Sequence, residues 1–276
     1  MLRRRRRTTR CLFRNRPTIA LIDIHSHILY GLDDGAGDRE TSLAMLRMAA
    51  ETGTTDIVAT PHSDVAFPFQ PELAAERLAE LREASGGAPR LHTGCDFHLH
   101  YENVQDALAN PTRYTINHQS YLLVEFSDLV VFNNSGRILD ALVAAGMRPI
   151  ITHPERNSLL QQRLGLLAEW VDGGCSLQLT AQSLLGDFGR AARDTCEELI
   201  KRGLVHFIAS DAHDCEHRPP RLDLAYAHVA RRWDPQTAER LLVQNPAAVL
   251  TGDPLPTPPP GAPPAPPPRK WYRFWR

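Results

Sequence analysis

The strongest constraint on this chain is the rhythm of its apolar residues. Seven short runs, each five to seven residues long, alternate with longer stretches of helical period. The runs read as strands at Thr18–Ile24, Asp56–Thr60, Arg90–Cys95, Tyr121–Phe126, Arg148–Thr152, Ser176–Thr180 and Val205–Ser210. Helical patterns cover Asp38–Thr52, Glu72–Ala84, Gly136–Ala145, Leu159–Val171, Ala191–Arg202, Leu222–Arg232 and Thr237–Gln244. Asp38 suits an N-cap, Gly53 a helix stop, and Pro246 disfavours helix at Asn245. Strands alternating with helical stretches predict an α/β chain of parallel strands, and seven such units suit a closed or nearly closed barrel. No Gly-rich phosphate loop follows any strand, which counts against a nucleotide fold.

The ends differ from this body. Residues 1–16 carry eight arginines and residues 269–276 four basic residues, with no acid in either segment. The remaining 19 basic residues face 32 acidic ones, so the body stands near −13 although the whole chain is near neutral. A uniformly basic nucleic-acid binder is thereby excluded. Ten prolines between Pro254 and Pro268 favour extended polyproline-like backbone, followed by Trp271, Tyr272, Phe274 and Trp275 among arginines. Three regions are expected: a basic disordered start at 1–17, a barrel at 18–252, and a Pro-rich, aromatic and basic tail at 253–276. Aromatics and arginines at the ends suit peripheral contact with an anionic membrane.

No apolar run is long enough to span a bilayer, and the Arg-rich start lacks the apolar segment of a secretory signal. Five scattered cysteines without a C-x-x-C pair predict a reduced, cytoplasmic protein with no disulfide framework.

The chemistry lies at the strand ends. Six of the seven predicted strands finish in His, Asp or Glu: Asp23-Ile24-His25-Ser26-His27, Pro61-His62, Cys95-Asp96, Glu125, His153-Pro154-Glu155-Arg156 and Ser210-Asp211-Ala212-His213. The first connecting loop adds Asp33-Asp34-Gly35. One histidine at a strand end is ordinarily structural. Six coincident ends are not, because parallel strands bring them to one mouth. Carboxylates gathered there repel one another unless cations neutralise them. Mixed imidazole and carboxylate donors suit Mn²⁺, Zn²⁺ or Fe²⁺, and carboxylate-rich sets lean toward Mn²⁺. Nine donors imply two or three ions. His92, His98, His100, His118, His206, His217 and His228 lie off this pattern and read as surface or structural residues, with a place at the mouth left open for His98 and His100, which closely follow Asp96.

Arg156 and Arg218 stand beside the cluster, where a planar guanidinium fork suits bidentate binding of a phosphate ester. The C-x₅-R spacing of thiol phosphatases occurs at Cys196…Arg202 and Cys215…Arg221. Neither has a Gly-rich anion cradle, and the second contains Pro219-Pro220, so thiol chemistry is not expected.

These residues resemble a family. Asp23-x-His25-x-His27, Leu32-Asp33-Asp34-Gly35, Ala59-Thr60-Pro61-His62, His153-Pro154-Glu155-Arg156 and Ser210-Asp211-x-His213 are similar, in order, to motifs of the PHP (polymerase and histidinol phosphatase) superfamily. The nearest branch is the CpsB-type bacterial manganese-dependent protein-tyrosine phosphatases. The resemblance spans roughly Ile22–Leu250 and implies a distorted seven-stranded β/α barrel with a trinuclear site. Position by position, it implies that His25, His27, Asp96 and Asp211 hold one metal, Asp96, Glu125 and His153 a second, and Asp34, His62 and His213 a third. Arg156 and Arg218 match its phosphate-binding positions. The family commonly has Glu where this chain has the shorter Asp96.

The resemblance further implies hydrolysis of protein phosphotyrosine by hydroxide held on the metals. The implied substrate is the tail of a membrane-bound tyrosine autokinase of capsule or exopolysaccharide synthesis, at the inner membrane face. Two alternatives stay open: a small-molecule phosphatase, such as one acting on histidinol phosphate, and an inert metal-binding scaffold.

Overall fold

The structure, a computed structural model, describes residues 19–256. The expected disordered start, the tail beyond residue 256 and its aromatic terminus lie outside the described residues.

Among the described residues eight strands form, in two parallel sheets. The first sheet orders β1 (Leu21–Ser26), β2 (Thr54–Ala59) and β3 (Arg90–Thr93). The second orders β4 (Asp96–His98), β5 (Tyr121–Glu125), β6 (Arg148–Thr152), β7 (Ser176–Thr180) and β8 (Phe207–Ala209). The expectation of seven strands is corrected at the third. The run Arg90–Cys95 breaks at Gly94-Cys95, and the chain changes neighbours there, β3 pairing with β2 and β4 with β5. Gly94 fits the break because a Cβ would come within 2.8 Å of Val58. Two isolated bridges join the sheets, Ser26 with Ala212 and His62 with Asp96.

The helices are α1 (Arg39–Glu51), α2 (Pro71–Ala84), α3 (Tyr101–Ala109), α4 (Ser135–Ala144), α5 (Ser158–Gln161), α6 (Leu164–Asp172), α7 (Ala181–Leu185), α8 (Gly189–Lys201), α9 (Asp223–Arg232), α10 (Pro235–Glu239) and α11 (Asn245–Thr251). Asp38 caps α1 as expected, accepting from the Thr41 amide at 2.8 Å, a contact worth about 1 kcal/mol. The expected helix Leu159–Val171 divides into α5 and α6 around Gln162-Arg163. The expected stop before Pro246 does not occur. Asn245 is helical (φ −64°, ψ −46°), and a π-turn over Arg240–Gln244 carries the chain from α10 into α11. Such a wide turn accommodates a proline that has no N–H to give and whose ring crowds the preceding turn. The buried Asn245 side chain donates to the His206 carbonyl at 2.8 Å.

Burial on both faces, helices against one and the opposite sheet against the other, explains why the strands read as near-continuous apolar runs. One cluster, including Ile22, Ile24, Leu123, Ile150 and Phe207, fills the space between the sheets beneath the strand ends, with Val249 of α11 packed against it. A second, built on Ile57, Leu91, Leu46 and Leu78, lies between the three-stranded sheet and α1 and α2. A third joins Leu122, Val124, Ile151, Leu177 and Ile208 to α4, α6, α8 and α9. Neighbouring residues of β5 alternate between the clusters, Leu122 and Val124 in one, Tyr121 and Leu123 in the other. Each fully buried Leu, Ile or Phe contributes about 1.5–3 kcal/mol, enough to carry a layer of buried charge above.

Candidate metal centre

The site is assembled where the ends of β1 and β8 interlock. The Asp211 amide donates to the His25 carbonyl, and the His27 amide to the Ala212 carbonyl, each at 2.8 Å. His153 after β6 and Asp211 after β8 adopt left-handed backbone (φ 32° and 53°). Such conformations cost about 1–3 kcal/mol in non-glycine residues and persist where surrounding structure enforces them. Here they occur at two of the converging strand ends.

All nine residues expected as ligands join one connected network. His25 Nε2 lies 3.5 Å from Asp96 Oδ2, 3.4 Å from Asp211 Oδ1 and 3.3 Å from His27 Nε2. His27 Nε2 lies 3.3 Å from Asp211 Oδ1. His62 reaches Asp34 Oδ1 at 3.3 Å, Asp96 Oδ2 at 3.3 Å and Glu125 Oε2 at 3.5 Å. His213 Nε2 lies 3.3 Å from Asp34 Oδ1, and His153 Nε2 3.6 Å from Glu125 Oε1. Donors bound to one cation at about 2.0–2.2 Å stand about 2.8–3.6 Å apart, so this spacing suits shared cations.

Polar satisfaction points the same way. Both oxygens of the fully buried Asp96, His62 Nδ1 and His213 Nε2 have no hydrogen-bond partner. Buried polar atoms are otherwise almost always paired. Three sets of donor atoms lie within 4.8 Å of one another: His27, Asp34, His62 and His213; His25, His27 and Asp96; and His62, Asp96 and Glu125. In the last set His62 stands in the place that the resemblance gives to His153. The residues therefore fit divalent metals. The shorter Asp96 reaches the centre because its backbone is drawn against the end of β2, its amide donating to the Pro61 carbonyl at 3.0 Å and its carbonyl accepting from the Ser63 amide at 3.1 Å.

Electrostatics divides the imidazoles. Burial opposes protonation of His27, but Asp33 and Asp211 outweigh it and push the pKa up to about 9. His62 rises too, against burial, through Asp34, Asp96 and Glu125. Burial, with Arg156 beside it, drops His153 to about 3, and burial next to His27 lowers His213. Glu125 falls to about 2 despite burial and Asp96, because His62 and His98 face it.

A surrounding layer fixes the donors. Asp33 Oδ2 pairs with His27 Nδ1 at 2.7 Å and accepts from the His62 amide at 3.1 Å. Gly35 lets this loop close on β1, since a Cβ there would lie 2.2 Å from the His27 carbonyl oxygen. Asp23 ties β1 to the end of β8, accepting from the Ser210 amide at 3.0 Å and its hydroxyl at 2.5 Å. Burial pushes its pKa up to about 6 against those bonds. Glu155 is buried and accepts from the Thr180 amide at 2.9 Å.

Sequence reading did not single out Gln178 of β7, whose Oε1 lies 2.9 Å from His25 Nδ1. The signal was present: Ser176, Gln178 and Thr180 are polar at every second position of a fully buried strand. His98, read as outside the pattern, has Nδ1 3.5 Å from Glu125 Oε2. His92 pairs instead with Asp56 at 2.9 Å, away from the centre.

At the rim, Arg156 Nη1 and Arg218 Nη2 converge on Asp211 Oδ2, at 2.6 and 2.5 Å. The Phe188 ring covers both guanidinium groups, at 4.8 and 5.9 Å from centroid to Cζ. Neither cysteine of the C-x₅-R spacings is activated. Cys196 is buried on α8 and its thiol is pushed up by burial, as is that of the half-exposed Cys215. Neither is a poised thiolate.

Parallel strands whose ends gather a buried imidazole–carboxylate centre under two arginines define an α/β metal-centre protein of the barrel-related type. The family described as capsular polysaccharide synthesis, CpsB/CapC, matches residues 21–251, and the chain belongs to it. The tyrosine-protein phosphatase YwqE of Bacillus subtilis is 35% identical over 207 residues, 72% of this chain and 79% of that one. The tyrosine-protein phosphatase CpsB of Streptococcus pneumoniae is 30% identical over 238 residues, 83% of this chain and 98% of that one. A crystal structure from the pair YwqE and CpsB, unique metal-dependent tyrosine phosphatases, superposes with TM-score 0.79 at 30% identity over 85% of this chain and 96% of that one. The phosphotriesterase homology protein of Escherichia coli shares the fold at 12% identity, with TM-score 0.57 over 84% of this chain and 99% of that one.

Proposed function

We propose that this chain is a metal-dependent protein-tyrosine phosphatase of capsule or exopolysaccharide synthesis. The observation that carries the reading is the pair Arg156 and Arg218, converging at the rim of a centre built from nine imidazole and carboxylate side chains. His25, His27, Asp34, His62, Asp96, Glu125, His153, Asp211 and His213 would hold two or three divalent ions; mixed imidazole and carboxylate donors suit Mn²⁺, Zn²⁺ or Fe²⁺, and the family resemblance favours Mn²⁺. When bound, such ions supply Lewis acidity, activating water near neutral pH and offsetting charge on phosphoryl oxygens.

The chain's own residues do the rest. Arg156 and Arg218 donate to the phosphoryl oxygens and turn the ester bond outward. Gln178 and Asp33 hold the rings of His25 and His27, so that the opposite nitrogens face the centre. The tyrosine phenolate, with a pKa of about 10, departs more readily than a serine alkoxide.

Family context supports a tyrosine-phosphorylated, membrane-bound autokinase as partner, reached from the cytoplasm at the inner membrane face. Among the described residues no helix is long and apolar enough to cross a membrane. The twelve basic residues at the two ends favour contact with an anionic leaflet, each adding about 1 kcal/mol near the surface. We take 18–252 as the catalytic unit, with 1–17 and 253–276 outside it. The deciding experiment compares a phosphotyrosyl peptide with histidinol phosphate, with and without Mn²⁺. Preference for the peptide supports the reading; preference for histidinol phosphate, or no turnover, overturns it.

A further inference from the structure

We infer that Phe188 makes this centre select aromatic over alkyl phosphate esters; the inference rests on the phosphatase reading for its biological sense. Phe188 is 37% exposed and belongs to none of the three apolar clusters. It sits in the turn Gly186-Asp187-Phe188-Gly189, between α7 and α8. Two left-handed glycines (φ 103° and 86°) shape that turn, and only glycine adopts such backbone freely.

Both guanidinium groups lie over the ring within about 6 Å, the range of cation–π attraction. Those groups meet on one carboxylate oxygen of Asp211, which places Phe188 beside the position where they would hold a phosphoryl group. In a phosphotyrosyl ester the ring is bonded directly to the ester oxygen, so it leaves the phosphoryl group as a rigid plate at this rim. Phe188 offers that plate an edge or an offset face. An alkyl ester has no π-face to pair and loses this contact. Aromatic pairs of this kind add about two- to ten-fold in binding beyond the area they bury.

The test uses the full chain loaded with Mn²⁺ and two non-hydrolysable probes, benzylphosphonate and ethylphosphonate, with dissociation constants measured by calorimetry. The wild-type chain should bind the benzyl probe several-fold more tightly. Phe188→Leu keeps an apolar side chain but no ring, and should bring the two constants together. Phe188→Tyr keeps the ring and should restore the preference. Equal weakening of both probes in Phe188→Leu would mean that the ring only supports the arginines, and an unchanged ratio would mean that it contributes nothing; either overturns the inference. Turnover of a phosphotyrosyl peptide by the wild-type chain is measured alongside. Its absence would remove the phosphatase reading, while the phosphonate ratio still decides the role of Phe188.

Discussion

His25 Nδ1 lies 2.9 Å from Gln178 Oε1, which leaves His25 Nε2 facing Asp96 and Asp211. The amide oxygen selects the tautomer with the proton on Nδ1 and locks the ring. Partners of this kind change metal affinity or activity by about 10–100-fold when removed. Gln178→Leu should therefore lower metal content and turnover by that order with the fold intact, read by elemental analysis and circular dichroism. Normal metal content in the variant would show that His25 is oriented by other means.

Activity should depend on metal and not on thiols. Chelation should abolish hydrolysis of a phosphotyrosyl peptide, and Mn²⁺ should restore it. Cys196→Ser and Cys215→Ser should retain near-normal turnover, since both thiols are held protonated. Loss of turnover in a folded serine variant contradicts the proposed chemistry.

Arg156→Lys should be costly. Lysine keeps the charge but not the planar fork, so turnover and inhibition by inorganic phosphate should weaken together, by about ten-fold or more for a charge-assisted contact. Metal content should stay constant, because Arg156 carries no donor atom. Unaltered phosphate inhibition would reduce this arginine to a partner of Asp211.

Gly35→Ala should disturb the centre although Gly35 carries no donor side chain. The added Cβ would lie 2.2 Å from the His27 carbonyl oxygen and 2.5 Å from the His27 Cβ. The loop must withdraw, taking Asp34 from His62 and His213. Metal content should drop and the chain should lose about 1–3 kcal/mol of stability, measured by urea denaturation. Wild-type values for both would show that the loop yields freely.

Much of this was legible in the sequence because strand ends and chemistry coincide. Arg148–Thr152 and Ser176–Thr180 fall where the apolar runs place them, since buried parallel strands leave an unambiguous pattern. The eighth strand was hidden because only Gly94 and Cys95 part β3 from β4, and the change of pairing partner there is something periodicity does not record. The helix across Pro246 escaped because a local preference yields to the packing of Asn245 and Val249. At the site, the types and order of the His, Asp and Glu side chains that gather at the strand ends were readable, whereas Gln178 and Phe188 became visible only through the residues they face across the fold.

The bond from Ser210 to Asp23 joins positions 187 residues apart, and it has a temporal meaning. Donors from the first strand and from the loop after the last must both be in place before His25, His27 and Asp211 can share a cation. If these donors hold metal as proposed, a nascent chain lacking β8 would have no complete centre, and metal loading would follow completion of the fold. Because the unfolded chain offers no such assembled set, bound metal stabilises the whole molecule by mass action. Metal capture would then act as an assay, built into the protein, of whether its two ends have met.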